Sequence, residues 1–202
     1  MKLYDSKAAP NPRRVRIFLA EKGIEVPAQQ VDIGKRESRS EAFLAKNPLG
    51  AVPVLELDDG TCIAESTAIC RYFEEVKPAP PLLGTDARDR AVVEMWDRRM
   101  ELELFRNVTG TFQNTHEYFK GRIEQIAAFG ERCRRVARER LAWLDAELAG
   151  RAFVAGERYT IADITALCAI DFGRVVDVRI AGEEKHLARW HELVSGRPSA
   201  KA

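Results

Sequence analysis

Asn47-Pro48-Leu49-Gly50-Ala51-Val52-Pro53-Val54-Leu55, followed by Asp58-Asp59-Gly60 and then Ala64-Glu65-Ser66, is the stretch that decides the fold. Asn47-Pro48 ends any helix before it, because a proline pushes the preceding residue out of the helical region. Val52 to Leu57 and Thr61 to Ile63 are apolar runs flanking Asp58-Asp59-Gly60, a strong hairpin signal. Pro53 lies at the start of the first run, where a strand tolerates proline, and a cis Val52–Pro53 bond would turn the backbone of Val52 outward. An outward Val52 offers its N–H and C=O to an extended peptide by strand addition. Glu65 and Ser66 fall where a helix begins. The free N–H groups and positive dipole end there favour a carboxylate, and the serine hydroxyl adds a donor. Glu65 is placed to hold an ammonium. Carboxylate, ammonium and peptide backbone held side by side describe a small zwitterionic peptide.

Upstream, Lys2-Leu3-Tyr4 reads as a short strand, Arg13 to Lys22 as a helix closed by Gly23, Glu25 to Ile33 as a strand, and Ser40 to Lys46 as a short helix. Downstream, Glu65 to Val76 reads as a helix. The order is βαβ, then αββα, over residues 1–77. Lys77-Pro78-Ala79-Pro80-Pro81 cannot continue that helix, so 78–85 reads as a linker. Residues 86–202 look helical throughout: Asp86 to about Thr109, Tyr118 to Leu148, Ile161 to about Val176 and Glu183 to Val194. A mixed α/β domain followed by an all-α domain is the expected architecture.

The bulk composition excludes several function classes. Lys plus Arg (32) nearly balances Asp plus Glu (31), so no global field favours nucleic acid or anionic lipid. The arginines at 132, 134, 135, 138 and 140 are interleaved with Glu131 and Glu139, with Glu131 four residues before Arg135, as on a solvated helix face. No run approaches the ~18 apolar residues of a membrane helix, and Met1 to Asp5 lacks a signal-peptide core, so a cytoplasmic protein is expected. Cys62, Cys70, Cys133 and Cys168 are scattered without a C-x-x-C pair, which argues against zinc or dithiol chemistry and for reduced thiols.

With these residues in view, the N-P-x-G-x-V-P-x-L, D-D-G and E-S run resembles the glutathione-site signature of cytosolic glutathione S-transferases. The resemblance extends over nearly the whole chain. It takes in Arg14-Val15-Arg16 to Lys22-Gly23, Tyr159-Thr160-Ile161-Ala162-Asp163, Arg189-Trp190 and Arg197-Pro198-Ser199. It implies a thioredoxin-like glutathione-binding domain, an all-helical second domain and a homodimer. It also implies glutathione as co-substrate with no further cofactor, and a small hydrophobic electrophile as second substrate. Val52, with Pro53 shaping its turn, would take the cysteinyl backbone, and Glu65 with Ser66 the γ-glutamyl end. The reaction is attack of the glutathione thiolate on the electrophile, with peroxide reduction as a side activity. A non-catalytic, ligandin-like binding or interaction protein is the alternative.

The sequence departs from the family where the thiolate needs a donor. Counting back from Lys22-Gly23, Ala9 occupies the position of the serine- and cysteine-type residue, and Asp5 that of the tyrosine type, with Tyr4 one residue off and on the other strand face. The chain is thus similar to members lacking the usual catalytic residue. Asn11 after Pro10 resembles the Pro-Asn pair of a bacterial class that uses asparagine near the sulfur; it equally suits a helix cap with Pro12 at the first helical position. Thr115-His116 resembles the pair by which a fungal and bacterial subgroup holds a water against the thiolate. Ser6 is a weaker third. Where related sequences carry a histidine near the glycine end of glutathione stands Ser38, so carboxylate contacts must come from elsewhere; Lys35, Arg36 and Arg39 are the cations available, Lys35 being preferred. Thr160 to Asp163 is a capping box, flanked by Tyr159 and Ile164 as a hydrophobic staple; Asp163 therefore has a folding role. Met95, Trp96, Met100, Leu104, Phe105, Val108 and Phe112 form an apolar stripe, part of which is available to an electrophile.

Overall fold

A computed structural model describes all 202 residues. The chain divides into two units, Met1–Leu82 with Lys201–Ala202, and Leu83–Ala200. In the first unit the elements run β1 (Lys2–Asp5), α1 (Pro10–Lys22), β2 (Ala28–Gln30), α2 (Glu41–Leu44), β3 (Val54–Glu56), β4 (Cys62–Ala64) and α3 (Ser66–Val76). The strands lie in the order β2-β1-β3-β4, β1 and β2 parallel and the other pairs antiparallel. The order of elements is the one read from the sequence, and the arrangement is the thioredoxin-like one that the family resemblance implies.

Strand alternation sorts the side chains. Tyr4 pairs across with Val54, and both join Val31 and Phe43 in one cluster under α2, with the Tyr4 and Phe43 rings edge to face. Leu3 and Leu55, also paired and buried, face the other side, as does Asp5, whose ion pair with Arg16 ties α1 to β1. There α1 packs on α3, and α3 on β3 and β4. Lys22 closes α1 with its side chain wholly buried. Its Nζ sits 2.5 Å from Glu74 and donates to the carbonyls of Lys77, Pro78 and Pro80, so it anchors the proline-rich segment.

Some boundaries differ from the sequence reading for local reasons. The first helix starts at Pro10, not Arg13; proline at the first helical position is pre-set for φ and needs no donor. Asn11 therefore lies inside the first turn and is not the cap. The strand expected over 25–33 shrinks to Ala28–Gln30, exposed at the sheet edge, and only Val31 reaches the core. The hairpin strands are trimmed to 54–56 and 62–64 around a turn in which Gly60 takes φ +86.

In the second unit α4 (Ala87–Arg99), a π-helical stretch (Met100–Phe105) and α5 (Arg106–Thr115) form one continuous run. It passes Thr109 and carries Gly110 within it, with no proline to stop it. The next helix, α6 (Ala127–Glu147), begins later than Tyr118, since His116 caps a short 3-10 turn and Asn114 Oδ1 holds the N–H of Ile126. Gly110 and Gly130 let α5 and α6 approach: a Cβ on Gly130 would lie 2.6 Å from Thr115. Glu131 pairs with Arg134, one turn position nearer than Arg135. α7 (Ile161–Gly173) is buried from Ile161 to Ile170, and α8 (Lys185–Ser195) adds Trp190 to that core. Among the stripe residues Trp96, Met100, Leu104, Phe105 and Val108 are core, Met95 is exposed and Phe112 half-buried.

Candidate functional site

The loop from Asn47 to Pro53 is built by the buried side chain of Asn47, whose Nδ2 donates to Ala51 O at 2.9 Å and whose Oδ1 accepts from the N–H of Leu49. Gly50, at φ +59, lies so close to Ser38 and Arg39 that a Cβ would meet Ser38 O at 2.8 Å and the Arg39 guanidinium at 2.9 Å; only glycine fits. Beyond this loop the Val52–Pro53 peptide is cis. Ladder pairing begins at Val54, so the N–H and C=O of Val52 lie outside it.

After the β3–β4 hairpin the chain enters α3 through Glu65, held at φ 69 and ψ 120. A non-glycine residue in this region costs about 1–3 kcal/mol, and such strain collects at sites of function. Glu65 occupies the cap position of α3, yet its side chain makes no cap hydrogen bond and is exposed, and Ser66 is buried in the first turn. The first-turn N–H groups of α3 thus have no side-chain cap, and a carboxylate and a hydroxyl lie beside them.

The start of α1 is joined to this corner by Arg14. Its buried guanidinium donates through Nη2 to Thr67 Oγ1 at 3.1 Å and, at 3.5 Å, through Nη1 to Asn11 Oδ1. Asn11 is exposed, and Oδ1 is the atom of its amide turned to Arg14. Pro10 and Pro12 have no N–H, and the N–H of Arg13 goes to Ala9 O, so the main-chain donor left at this helix start is that of Asn11. Ala9 itself contributes only a methyl group. Ser6 is buried, its carbonyl accepting from Ala9. Neither residue at the tyrosine-type position is free: Asp5 is held by Arg16 and Gln30, and Tyr4 donates to Glu56 Oε2 at 2.6 Å under α2. That bond, then the one from Lys46, holds the Glu56 carboxyl below its usual range.

In the second unit His116 ends α5. Its Nδ1 accepts the N–H of Tyr118 at 3.1 Å, which in the neutral ring places the proton on Nε2 and makes that nitrogen a donor. The hydroxyl of Thr115 donates back to Thr111 O at 2.8 Å, so its proton is engaged within the helix.

A profile of the Glutathione S-transferase N-terminal domain matches residues 8–76, and one of the C-terminal domain matches 111–198. Glutathione S-transferase 2 of Saccharomyces cerevisiae is 38% identical over 205 residues, covering 100% of this chain and 88% of that protein. The chain belongs to the glutathione S-transferase family. Among solved structures, Gtt2 from Saccharomyces cerevisiae superposes on the transferase with a TM-score of 0.95 at 37% identity, covering 100% of this chain and 99% of that one. A glutathione S-transferase domain-containing protein from Marinobacter aquaeolei gives 0.94 at 41% identity, covering 98% and 99%. The fold is that of the family, the enzyme is a glutathione S-transferase, and membership makes glutathione its substrate.

Of the residues singled out from the transferase's sequence, Asn11 and the Glu65–Ser66 corner are linked through Arg14 and Thr67. Lys35 is exposed and turned to Asp32, 3.6 Å away, whereas Arg39 is the cation that lies against the loop before Val52. Arg14, Thr67 and Asn47 were passed over. Arg14 was within reach of sequence reasoning, standing three residues after Asn11 on one helix face.

Proposed function

We propose that this transferase conjugates the glutathione thiolate to small hydrophobic electrophiles. The γ-glutamyl end would sit at Glu65, Ser66 and the start of α3, and the cysteinyl backbone on the N–H and C=O of Val52 ahead of Pro53. The glycine carboxylate would take a cation from the 35–39 segment, Arg39 in preference to Lys35. Asn11 serves as thiolate donor through its main-chain N–H and side-chain NH₂ together, with His116 donating from Nε2 to an ordered water and Ser6 as a lesser contributor. A donor lowers the thiol pKa and raises the thiolate fraction. The observation that carries this reading is the strained, uncapped start of α3 at Glu65, joined through Thr67 and Arg14 to Asn11 at the start of α1. The same thiolate supports reduction of an organic hydroperoxide to alcohol and water while two glutathiones become the disulfide. A homodimer and a cytoplasmic location belong to this reading as family expectations.

The test is turnover of chlorodinitrobenzene and cumene hydroperoxide together with titration of the bound thiol. His116→Ala is expected to lower turnover at least as much as Asn11→Ala, each about tenfold or more, with glutathione affinity little changed. Unaltered rate and thiol pKa in both variants would remove both side chains from the mechanism and leave the thiolate to a main-chain N–H or to Ser6. The methyl group of Ala9 favours a second reading, a glutathione-binding protein with little catalysis. Retention on glutathione resin without turnover of either substrate would select it.

A further inference from the structure

Phe112 is the hub of an aromatic cluster around the end of α5. Its ring centroid lies 4.7 Å from that of His116, 5.3 Å from Phe119 and 5.0 Å from Phe172, and it is stacked on Tyr118 at 6.1 Å. A core would seal such rings, yet all five residues are only half-buried. Rings that keep part of their surface in solvent offer stacking or edge contacts to a flat π system. Arg122 lies over the Tyr118 ring, its guanidinium carbon 4.3 Å from the centroid. Its position is set by the backbone: Gly121 turns the chain at φ +72, and the N–H of Arg122 is bonded to Phe119 O at 2.9 Å. Arg122 is exposed and has no carboxylate partner, so the planar fork is stacked on one side and open to an anion at its edge. A half-exposed ring cluster beside a stacked, unpaired guanidinium matches an aromatic molecule carrying an acid, and gives the apolar stripe a charge preference that its composition does not suggest.

We infer that Arg122 is a specificity residue which, with the Phe112 cluster, selects aromatic electrophiles bearing a carboxylate or sulfonate. For turnover this rests on the transferase reading above; for binding it does not. With an aryl vinyl ketone the step balances simply: the thiolate sulfur bonds to the β-carbon, the C=C pair moves to the enolate, and the enolate takes a proton from water. Two measurements test the inference in wild type and Arg122→Gln. One is kcat/KM for a carboxylated aryl vinyl ketone against its methyl ester. The other is fluorescence titration, without glutathione, with anilinonaphthalene sulfonate against neutral anilinonaphthalene. The acid-to-ester ratio and the sulfonate preference should each fall about fivefold in Arg122→Gln, the size of one exposed charge-assisted contact. An unchanged sulfonate affinity in the variant overturns the inference whatever the kinetics, and so does an unchanged acid-to-ester ratio where turnover exists. Absence of all turnover with the sulfonate preference falling as expected would leave the inference standing and reject the transferase reading instead.

Discussion

Two helices of this transferase begin with a hydroxyl residue and an acid, at Thr160–Asp163 and at Glu65–Ser66, and the two starts are wired in opposite ways. At α7 every group is turned inward. Asp163 accepts from the N–H of Thr160 at 2.9 Å, from the N–H of Val154 at 2.8 Å and from Trp190 Nε1 at 2.9 Å, and is fully buried. At α3 the acid is exposed, caps nothing and sits in strained backbone. A helix start that satisfies its own donors is a folding device; one that leaves them open while bearing strain has donors available to a ligand.

The comparison can be broken most severely at α7. Asp163→Ala should cost about 3 kcal/mol or more, since it strips partners from several buried donors, and denaturant melts would show it. A melt unchanged by that substitution would mean α7 is not organised by its cap. At α3 the loss should appear in binding rather than stability. Glu65→Ala and Ser66→Ala should each weaken glutathione by about tenfold in calorimetry, the value of a hydrogen bond to a charged group, with the melt nearly unmoved. Glu65→Gly sharpens the contrast further: relief of the positive φ should stabilise the protein by about 1 kcal/mol while glutathione affinity falls. A destabilised Glu65→Gly variant would show that the conformation carries no strain.

The smallest effect is a pH slope. Burial pushes the Asp163 carboxyl up from 3.8 to about 6 despite its donors. The folded state then holds this proton more tightly than the unfolded chain, so the group's stabilising contribution is present below about pH 4 and lost as the pH rises through about 6. Unfolding free energies across that window should fall with pH in wild type relative to Asp163→Asn. The opposite slope would mean that the donors outweigh desolvation.

The same contrast separates what was legible in the residues from what was not. The turn at Asp58-Asp59-Gly60, the capping box at Thr160 and the Asn47 to Pro53 loop were all readable, and so was the change from mixed to helical character after residue 77. Each is a demand made between near neighbours: a glycine where φ must be positive, an acid three residues after its cap, a proline that ends the helix before it. Membership of the family was legible for the same reason, because its signature is a run of such local demands.

Contacts between distant segments were decided only by the fold. Arg14 meets Thr67, Arg39 rather than Lys35 comes against Gly50, and Asp163 is reached by Trp190. The proton of Thr115 is engaged within its own helix, and Glu65 leaves α3 uncapped. Sequence fixes which side chains can donate, accept or bend. Which of them still has a free donor or open charge depends on the groups that folding brings within about 3 Å, and no spacing along the chain encodes that.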